Sequence, residues 1–239
     1  MTIDFPILVI NMDEDLDRWQ SVAEQAIKFG LIVQRVPAIE SKGVPVSELS
    51  FVTAGVRAVW KSHMRCMQLL VESNSTHALI LEDDFQILKP KQLIASCSRS
   101  DVLRYDVIQF GWVVPGMDNR VDMVYKCIEH FFFVCFYKLL TTFTPKSNHL
   151  LRLRPSAHGR APKGFIPDDF QPGGHCYMVS RDFASLVLQI NEPQFLATDD
   201  VYMALAKMRS VRFIRSKKNF ATQKPFKKWA GKRFTNHPF

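Results

Sequence analysis

Apolar residues in this chain alternate between short continuous runs and stretches with helical spacing. Residues 7–10 form an apolar, β-branched run that ends at polar Asn11, which predicts a buried strand. Helical spacing then carries apolar side chains up to Gly30, a frequent helix stop, at Leu16, Trp19, Val22, Ala26 and Ile27. A second short strand is predicted over 31–36. This strand–helix–strand opening is typical of a parallel α/β unit.

The same alternation continues along most of the chain. We predict a helix from about Thr53 to 73–75, buried strands at 78–81, 106–110, 176–179 and 211–214, and helices capped by Ser180 and Thr198. Residues 115–172 show no such pattern and are predicted to form loops and short elements around a site. The chain is therefore predicted to be α/β, with a mostly parallel central sheet flanked by helices.

Three adjacent carboxylates, Glu82, Asp83 and Asp84, directly follow the strand predicted at 78–81. Ligands of open α/β sheets bind beyond the carboxyl ends of the strands. Crowded carboxylates repel one another, and a divalent cation such as Mg²⁺ or Mn²⁺ relieves that repulsion. In an extended segment Glu82 and Asp84 share a face. The alternative is a solvated acidic turn or a helix N-terminus.

Two further groups of residues suggest chemistry. His63 lies on the apolar face of the predicted second helix, next to Ser62, and is either a core histidine or a functional one. Gly173 and Gly174 precede the strand predicted at 176–179, where glycine permits close backbone approach to a ligand. A simple turn explains the glycine pair equally well.

Asp199 and Asp200 stand in the first turn of the helix predicted from Thr198. The helix dipole favours carboxylates at this position. The functional alternative is a general base that removes the proton from an acceptor hydroxyl. The two readings remain open on the residues alone.

Composition and charge restrict the class of protein. The 239 residues are 47% hydrophobic and carry a formal charge of +8, which suits anionic partners. Basic residues concentrate between Arg212 and Arg233, interleaved with aromatics, so the tail could contact an anionic membrane, nucleic acid or a diphosphate, or simply be solvated.

None of the five cysteines is spaced as CxxC, and free thiols in a reducing compartment are expected. We expect a soluble, cytoplasmic protein, since no apolar run approaches the roughly 20 residues of a spanning helix.

The order of these pieces resembles glycosyltransferase family 25, which includes bacterial lipooligosaccharide galactosyltransferases. The segments that carry the resemblance are 9–12 with Asp17 and Arg18, 37–40, Gly55 to His63, 79–84, 106–111, Gly174 to Arg181, the acidic pair 199–200, and Gln223. Residues 41 and 56–59 depart from the family pattern. The resemblance runs from about residue 6 to 224, with a gap near 114–165.

The resemblance implies one GT-A-like, Rossmann-like domain over 1–215 and a basic tail over 216–239. It also implies a nucleotide-sugar donor, commonly UDP-linked, a divalent cation (Mn²⁺ or Mg²⁺), a lipopolysaccharide-type or other glycan acceptor, and an inverting displacement. Asp84 and Glu82 then hold the metal and Asp200 or Asp199 is the base. The donor-binding residues carried over are Asn11, Arg18, Ser62, His63, Glu82, Asp83, Gly173, Gly174 and Gln223.

Two rival functions remain at this point. One is a metal-dependent phosphoryl-transfer enzyme that uses the same acidic triplet. The other is a degenerate family member that binds glycan or membrane without turnover. The transferase prediction includes peripheral contact with the inner face of an anionic membrane through the tail, and excludes nucleic acid as a partner.

Overall fold

The computed structural model describes residues 3–42, 52–112, 135, 160–190, 194, 196–207 and 211–223. Over these residues the chain forms a mixed, mostly parallel sheet of nine strands flanked by helices. The strands are β1 (Ile7–Asn11), β2 (Val33–Pro37), β3 (His77–Glu82), β4 (Phe85–Ile87), β5 (Val107–Gly111), β6 (Phe165–Pro167), β7 (Cys176–Ser180), β8 (Phe213–Ser216) and β9 (Ala221–Gln223). The predicted α/β class is confirmed.

The helices are α1 (Leu16–Phe29), α2 (Ala54–Glu72), α3 (Pro90–Cys97), α4 (Ser100–Leu103), α5 (Arg181–Val187) and α6 (Thr198–Lys207). Gly30 ends α1 in the left-handed conformation at φ 64°, as glycine allows. The hydroxyl of Thr53 accepts from the amide of Val56 and caps α2. Among the described residues, none of these helices combines the length and apolar character needed to cross a membrane.

The sheet has the order β2-β1-β3-β7-β5-β8-β6, with β9 joining β4 to β5. Strand β1 lies parallel to both β2 and β3, and β5 lies parallel to β8. The predicted parallel sheet is interrupted by β7, which runs antiparallel to β3 and to β5. The segment preceding β7 therefore meets the carboxyl ends of β1, β3 and β5 at one edge of the sheet.

Successive residues of each central strand point to opposite faces of the sheet. Ile10 and Ile80 belong to one buried cluster, with Trp60 of α2 and Tyr202 of α6. The opposite face forms a second cluster with side chains from α1 and α3, including Val9, Leu81, Val22 and Leu93. Both faces of the sheet are thus covered, which explains why the strands read as continuous apolar runs.

The sheet continues past residue 215, where the domain was predicted to end. Ser216 ends β8, and β9 pairs with β4, so that Phe85 is opposite Gln223. The sheet therefore includes the first residues of the predicted tail. Residues 224–239, which carry the remaining basic and aromatic positions of that tail, lie outside the described residues.

Candidate functional site

The acidic triplet lies where β3 ends and the chain turns into β4. Glu82 is the last residue of β3, and Asp83 and Asp84 form the turn. Asp83 and Asp84 are only 6% and 2% exposed. The alternative of a solvated acidic turn is therefore wrong, and the three side chains do not continue as one extended segment.

Asp83 is held by two buried neighbours from the start of the chain. Oδ1 accepts from Nη1 of Arg18 at 2.8 Å, and Oδ2 accepts from Nδ2 of Asn11 at 2.8 Å. Nε of Arg35 donates to Oδ1 of Asn11 at 2.8 Å and fixes the orientation of that amide. Three predicted donor-binding residues thus bind one another, and much of the charge in the triplet is balanced by Arg18 within the protein.

Burial raises the pKa of Asp83 above its ordinary value, and the hydrogen bonds from Asn11 and Arg18 offset part of that rise.

Gln25 of α1 anchors strand β4, which follows the acidic turn. The side-chain amide of Gln25 donates to the carbonyl of Phe85 at 3.1 Å and accepts from the backbone amide of Ile87 at 2.9 Å. Helix α1 therefore fixes the turn from both sides.

Glu82 faces residues from two other segments. Oε1 lies 3.4 Å from Nε2 of His63, and Oε2 lies 3.5 Å from Nε2 of Gln223. The side chain of Glu82 is 27% exposed, whereas that of His63 is 2% exposed. Glu82 is therefore the member of the triplet that a ligand reaches from solvent, with His63 behind it. The predicted residues Glu82, His63 and Gln223 come together although they lie far apart in sequence.

Asp199 approaches the same place from the N-terminus of α6. Its Oδ2 accepts from the amide of Gly173 at 2.7 Å. A Cβ atom added to Gly174 would lie 3.0 Å from Oδ1 of Asp199 and 3.7 Å from Oε1 of Glu82. The same point is 3.6 Å from Cε1 of His63. The absence of a side chain at Gly174 therefore leaves a small space lined by two carboxylates and an imidazole.

The carboxyl of Asp199 has unusual acid–base properties. Its pKa is raised from 3.8 to about 6, chiefly by desolvation and also by the charges of Glu82 and Asp200, while the hydrogen bond from Gly173 and the electrostatic influence of His63 act in the opposite direction. A carboxylate with this pKa is a stronger base than an ordinary one and is still ionised at neutral pH. Perturbed values of this kind concentrate at functional sites.

The other half of the predicted catalytic pair, Asp200, is partly exposed beside Asp199 in the first turn of α6. Thr198 does not cap the helix as predicted, because its buried hydroxyl has no hydrogen-bond partner in the described part of the chain. The carboxylate of Asp199 instead meets the loop before β7. Of the two acids, Asp199 is the one placed among Glu82, His63 and Gly174.

Ser62 is placed differently from the other predicted residues. Its buried hydroxyl donates to the carbonyl of Ala58 at 2.7 Å and accepts from the amide of Ile39 at 2.9 Å. These two backbone contacts tie α2 to the segment after β2. Ser62 thus supports the scaffold next to His63.

Gln109 of β5 is a residue that sequence reasoning passed over. Its fully buried amide donates to the carbonyls of Gln171 at 2.7 Å and Gly173 at 3.1 Å, and accepts from the amide of Gln171 at 2.8 Å. Gly173 adopts φ 106°, a conformation that favours glycine. A polar residue in an otherwise apolar strand was the only signal in the sequence. Gln109 shapes the loop that presents Gly173 and Gly174 to Asp199.

His175 is the second residue that was not predicted. It is fully buried, and its carbonyl accepts from the amide of Glu82 at 3.2 Å. Burial lowers the pKa of His175, while Glu82 and the carbonyl of Ala221 act in the opposite direction. A Cβ at Gly111 would lie 2.7 Å from Nε2 of His175, so glycine is required there. Packing at Gly111 thus helps to set the position of His175 in the loop before β7.

The predicted divalent cation has few ligands of its own here. The described residues contain no group of three or more His, Cys, Asp or Glu that could hold a metal ion. Asp83 is engaged by Arg18 and Asn11, and Asp84 is buried, whereas Glu82 is accessible. Mg²⁺-type cations often use one or two carboxylates together with substrate phosphates. The residues present fit a cation shared with a bound diphosphate, to which Glu82 supplies an accessible carboxylate.

No known protein-family model matches the chain, and no curated protein matches it. A cavity of about 340 Å³ lies elsewhere, lined by residues that include Pro6, Gln34, Leu69 and Ser75. It is found towards the amino ends of β1 and β3 and has no part in the site.

Proposed function

We propose that the protein is a glycosyltransferase that moves a sugar from a nucleotide-sugar, in the first instance a UDP-hexose, to a glycan acceptor. One observation carries the proposal. The separate segments that resemble family 25 meet at one edge of the sheet, through Asn11 and Arg18 on Asp83, and through His63 and Gln223 on Glu82. These six residues are scattered over the sequence, and their meeting at one place supports a common purpose.

The architecture is compatible with a single GT-A-like domain. The mixed sheet places the ends of β1, β3 and β5 and the loop before β7 at the same edge. Ligands of open α/β sheets bind at this edge. The resemblance and this placement together support the proposed assignment to family 25.

Asp199 is the proposed general base. Gly173 holds Oδ2, so Oδ1 is the oxygen that borders the space at Gly174. With a pKa of about 6, the carboxylate is ionised at neutral pH and takes the proton from the acceptor hydroxyl as that oxygen attacks the anomeric carbon. The bond from the anomeric carbon to the diphosphate oxygen breaks in the same step. One base and one displacement give inversion at that carbon.

The departing nucleoside diphosphate carries the negative charge that develops in this step. Glu82 would hold a divalent cation, Mn²⁺ or Mg²⁺, with Asp84 as the second predicted ligand. The bound cation would neutralise the charge on the departing diphosphate. His63 lies behind Glu82 and keeps the carboxylate directed to the site. Gln223 contacts the other oxygen of Glu82 and closes the site from β9.

The acceptor is proposed to be a glycan of the lipopolysaccharide type, as the resemblance implies. Peripheral contact with an anionic membrane is proposed for the basic residues 224–239, which are outside the described part of the chain. Such a contact would place the site near a lipid-linked acceptor at the cytoplasmic face.

The proposal is tested with a panel of nucleotide-sugars and Mn²⁺, with and without chelator. Donor hydrolysis and transfer are followed by release of the nucleoside diphosphate. Asp199→Asn should lower turnover by at least about a hundredfold, the usual contribution of a general base. Asp182→Asn is the matched control, since Asp182 is an exposed acid in the first turn of α5 at the opposite edge of the sheet.

Turnover of phosphoesters without sugar transfer would replace the proposal by phosphoryl transfer. Binding of glycan or vesicles that survives chelation, with no turnover of any donor, would replace it by a binding function. Asp200→Asn is included because the sequence alone left the two acids open. A larger loss for Asp200→Asn than for Asp199→Asn would move the base to Asp200.

A further inference from the structure

Three buried polar side chains form a row behind the carboxylates of the site. Nδ1 of His63 lies 2.6 Å from the hydroxyl oxygen of Tyr177, and that oxygen lies 3.5 Å from the hydroxyl of Tyr202. At the other end of the row, Nε2 of His63 lies 3.4 Å from Oε1 of Glu82. His63 is 1% exposed and both tyrosines are fully buried. The row therefore links the core of the protein to the accessible carboxylate of Glu82.

The hydroxyl of Tyr177 keeps its proton in this position. Burial raises the pKa of Tyr177 well above its ordinary value of 10.0, and the neighbouring Tyr202 and Glu82 act in the same direction. A neutral phenol has one proton to donate. The imidazole nitrogen at 2.6 Å is both nearer and a stronger acceptor than the hydroxyl of Tyr202 at 3.5 Å. The proton of Tyr177 is therefore directed at Nδ1 of His63.

The tautomer of His63 follows from this direction. A neutral imidazole carries its proton on one nitrogen and a lone pair on the other. With the proton on Nδ1, the lone pair of Nε2 would face the carboxylate of Glu82, and two acceptors would oppose each other. With the proton on Nε2, the ring donates towards Glu82 while Nδ1 accepts from Tyr177. Only the second tautomer supplies a proton to both contacts.

Aromatic packing fixes the ring that carries this hydroxyl. Phe170 and Tyr202 both meet Tyr177 edge to face, at centroid distances of 6.3 and 5.5 Å. Ring pairs of this geometry are favourable beyond the area they bury. Tyr177 also lies within β7, between β3 and β5. Its hydroxyl thus has little freedom to turn away from His63.

We propose that Tyr177 is a positioning residue, which donates to Nδ1 of His63 and thereby fixes the tautomer whose Nε2–H faces the carboxylate of Glu82, 3.4 Å away beside Gly174 and Asp199. The tautomer is a property of the folded protein in the absence of substrate. The consequence for sugar transfer rests on the proposed function. The two parts can be tested separately.

The tautomer is tested on full-length protein labelled with ¹⁵N-histidine, at mildly alkaline pH. Long-range ¹H–¹⁵N spectra distinguish a protonated ring nitrogen from one with a lone pair. His63→Gln assigns the signals of His63 among the seven histidines. We expect Nε2 to be the protonated nitrogen. Protonation of Nδ1, alone or together with Nε2, would overturn the proposal.

Tyr177→Phe removes the donor, and His63 is then expected to show a mixture of both tautomers. Tyr202→Phe is the matched control, because it removes one hydroxyl from the same aromatic cluster but leaves the contact at 2.6 Å in place. The control should retain the wild-type His63 signals. An unchanged His63 spectrum in Tyr177→Phe, in a variant whose thermal unfolding shows that it is folded, contradicts the role of Tyr177.

The consequence for turnover is measured with the same two variants. Misplacement of Glu82 in Tyr177→Phe should lower kcat/KM by about tenfold or more, through kcat more than KM, with wild-type values in Tyr202→Phe. Equal effects of the two variants would reduce Tyr177 to a packing residue. If the wild-type protein transfers no sugar, the proposed function fails, while the spectra still decide the tautomer.

Discussion

Nη1 of Arg18 lies 2.8 Å from Oδ1 of Asp83, and this buried ion pair joins the first helix to the turn after β3. The pair changes how the acidic triplet is understood. Adjacent carboxylates suggested that an external cation was needed, but the middle carboxylate is balanced by a residue of the chain itself. Glu82 is left as the accessible acid. Asp83 therefore orients the turn, and the chemistry is assigned to its neighbours.

Removal of the Arg18 charge should destabilise the protein strongly. In Arg18→Met the carboxylate of Asp83 stays buried and keeps only the hydrogen bond from Asn11 of its two polar contacts. The loss of one partner of a buried ion pair costs about 3 kcal/mol or more. The free energy of unfolding in urea measures the loss. Arg99→Met is the control, since the ion pair between Arg99 and Asp101 is 36% and 44% exposed and should contribute below about 1 kcal/mol. Equal losses in the two variants would show that Asp83 does not depend on Arg18.

The ionisation of Asp199 should make stability depend on pH. Its pKa is raised from 3.8 to about 6, so the folded state binds more protons than the unfolded state between these values. The free energy of unfolding should consequently fall as pH rises through this window, and this contribution should level off above pH 6. Asp199→Asn cannot ionise and keeps an acceptor for Gly173. At neutral pH we expect it to be more stable than wild type by about 2 kcal/mol, which allows for partial exposure of Asp199.

Urea unfolding of chelator-treated protein over the acid range tests this dependence. Asp182→Asn should follow the wild-type pH profile, because Asp182 is exposed. An Asp199→Asn variant that is less stable than wild type at neutral pH would show that the charge of Asp199 is favourable in the fold.

A methyl group at Gly174 should block the site without unfolding the protein. In Gly174→Ala the added Cβ lies 3.0 Å from Oδ1 of Asp199 and occupies the space between Asp199, His63 and Glu82. We expect kcat/KM to fall by at least about tenfold, with a change in stability below about 1.5 kcal/mol. Gly55→Ala is the control, since its Cβ meets only Thr53 at 3.9 Å near the start of α2. Retained turnover in Gly174→Ala would place the reaction away from this space.

Loss of the Gln109 amide should release the loop before β7. Gln109→Met keeps the approximate shape but leaves the amide of Gln171 and two carbonyls without their buried partner. Buried polar groups that lose their hydrogen-bond partner lower the free energy of unfolding by about 2 kcal/mol. Hydrogen exchange should show faster exchange at the Gln171 amide, and urea unfolding should show the loss in stability. Gln86→Met is the control, because Gln86 is exposed in β4. Unchanged exchange at Gln171 would mean that other contacts hold the loop.

Cation binding should depend on the nucleotide. Since the described residues contain no group of three candidate ligands, we expect Mn²⁺ to bind weakly alone and more tightly when UDP is present. Glu82→Gln should weaken the binding of Mn²⁺ with UDP by about tenfold, as measured by calorimetry. Glu72→Gln, an exposed acid at the end of α2, should bind as wild type. Tight binding of Mn²⁺ without nucleotide would indicate a complete metal site.

Short-range patterns allowed much of the fold to be predicted. The strand that ends at Asn11, the helix that stops at Gly30 and the helix that begins near Thr53 all agree with the structure. Each depends on residues within a few positions of one another. Strands β4 and β9 were missed, because three residues show no periodicity, and their pairing joins Phe85 to Gln223 across the chain. The strand at 176–179 was predicted, but its antiparallel direction depends on pairing with β3 and β5, which are distant in sequence.

The place of the acidic triplet was predictable, but the contacts of its members were not. The position of Glu82, Asp83 and Asp84 at a strand end could be inferred from the apolar run before them. Which carboxylate faces solvent could not be inferred, because that depends on Arg18 and Asn11 reaching Asp83 from another part of the fold. Gln109 looked like an unremarkable strand residue, since its three hydrogen bonds go to a loop that is distant in sequence.

The sequence alone determined the alternation of strands and helices, and with it the edge of the sheet where acidic residues collect, because local periodicity and burial dictate both. The tertiary structure decided the rest. It brought His63, Gly174 and Asp199 around Glu82, raised the pKa of Asp199 to about 6, and used Arg18 to neutralise Asp83. Charge and desolvation act through space, so the properties of these groups exist only once separate segments of the chain have packed together.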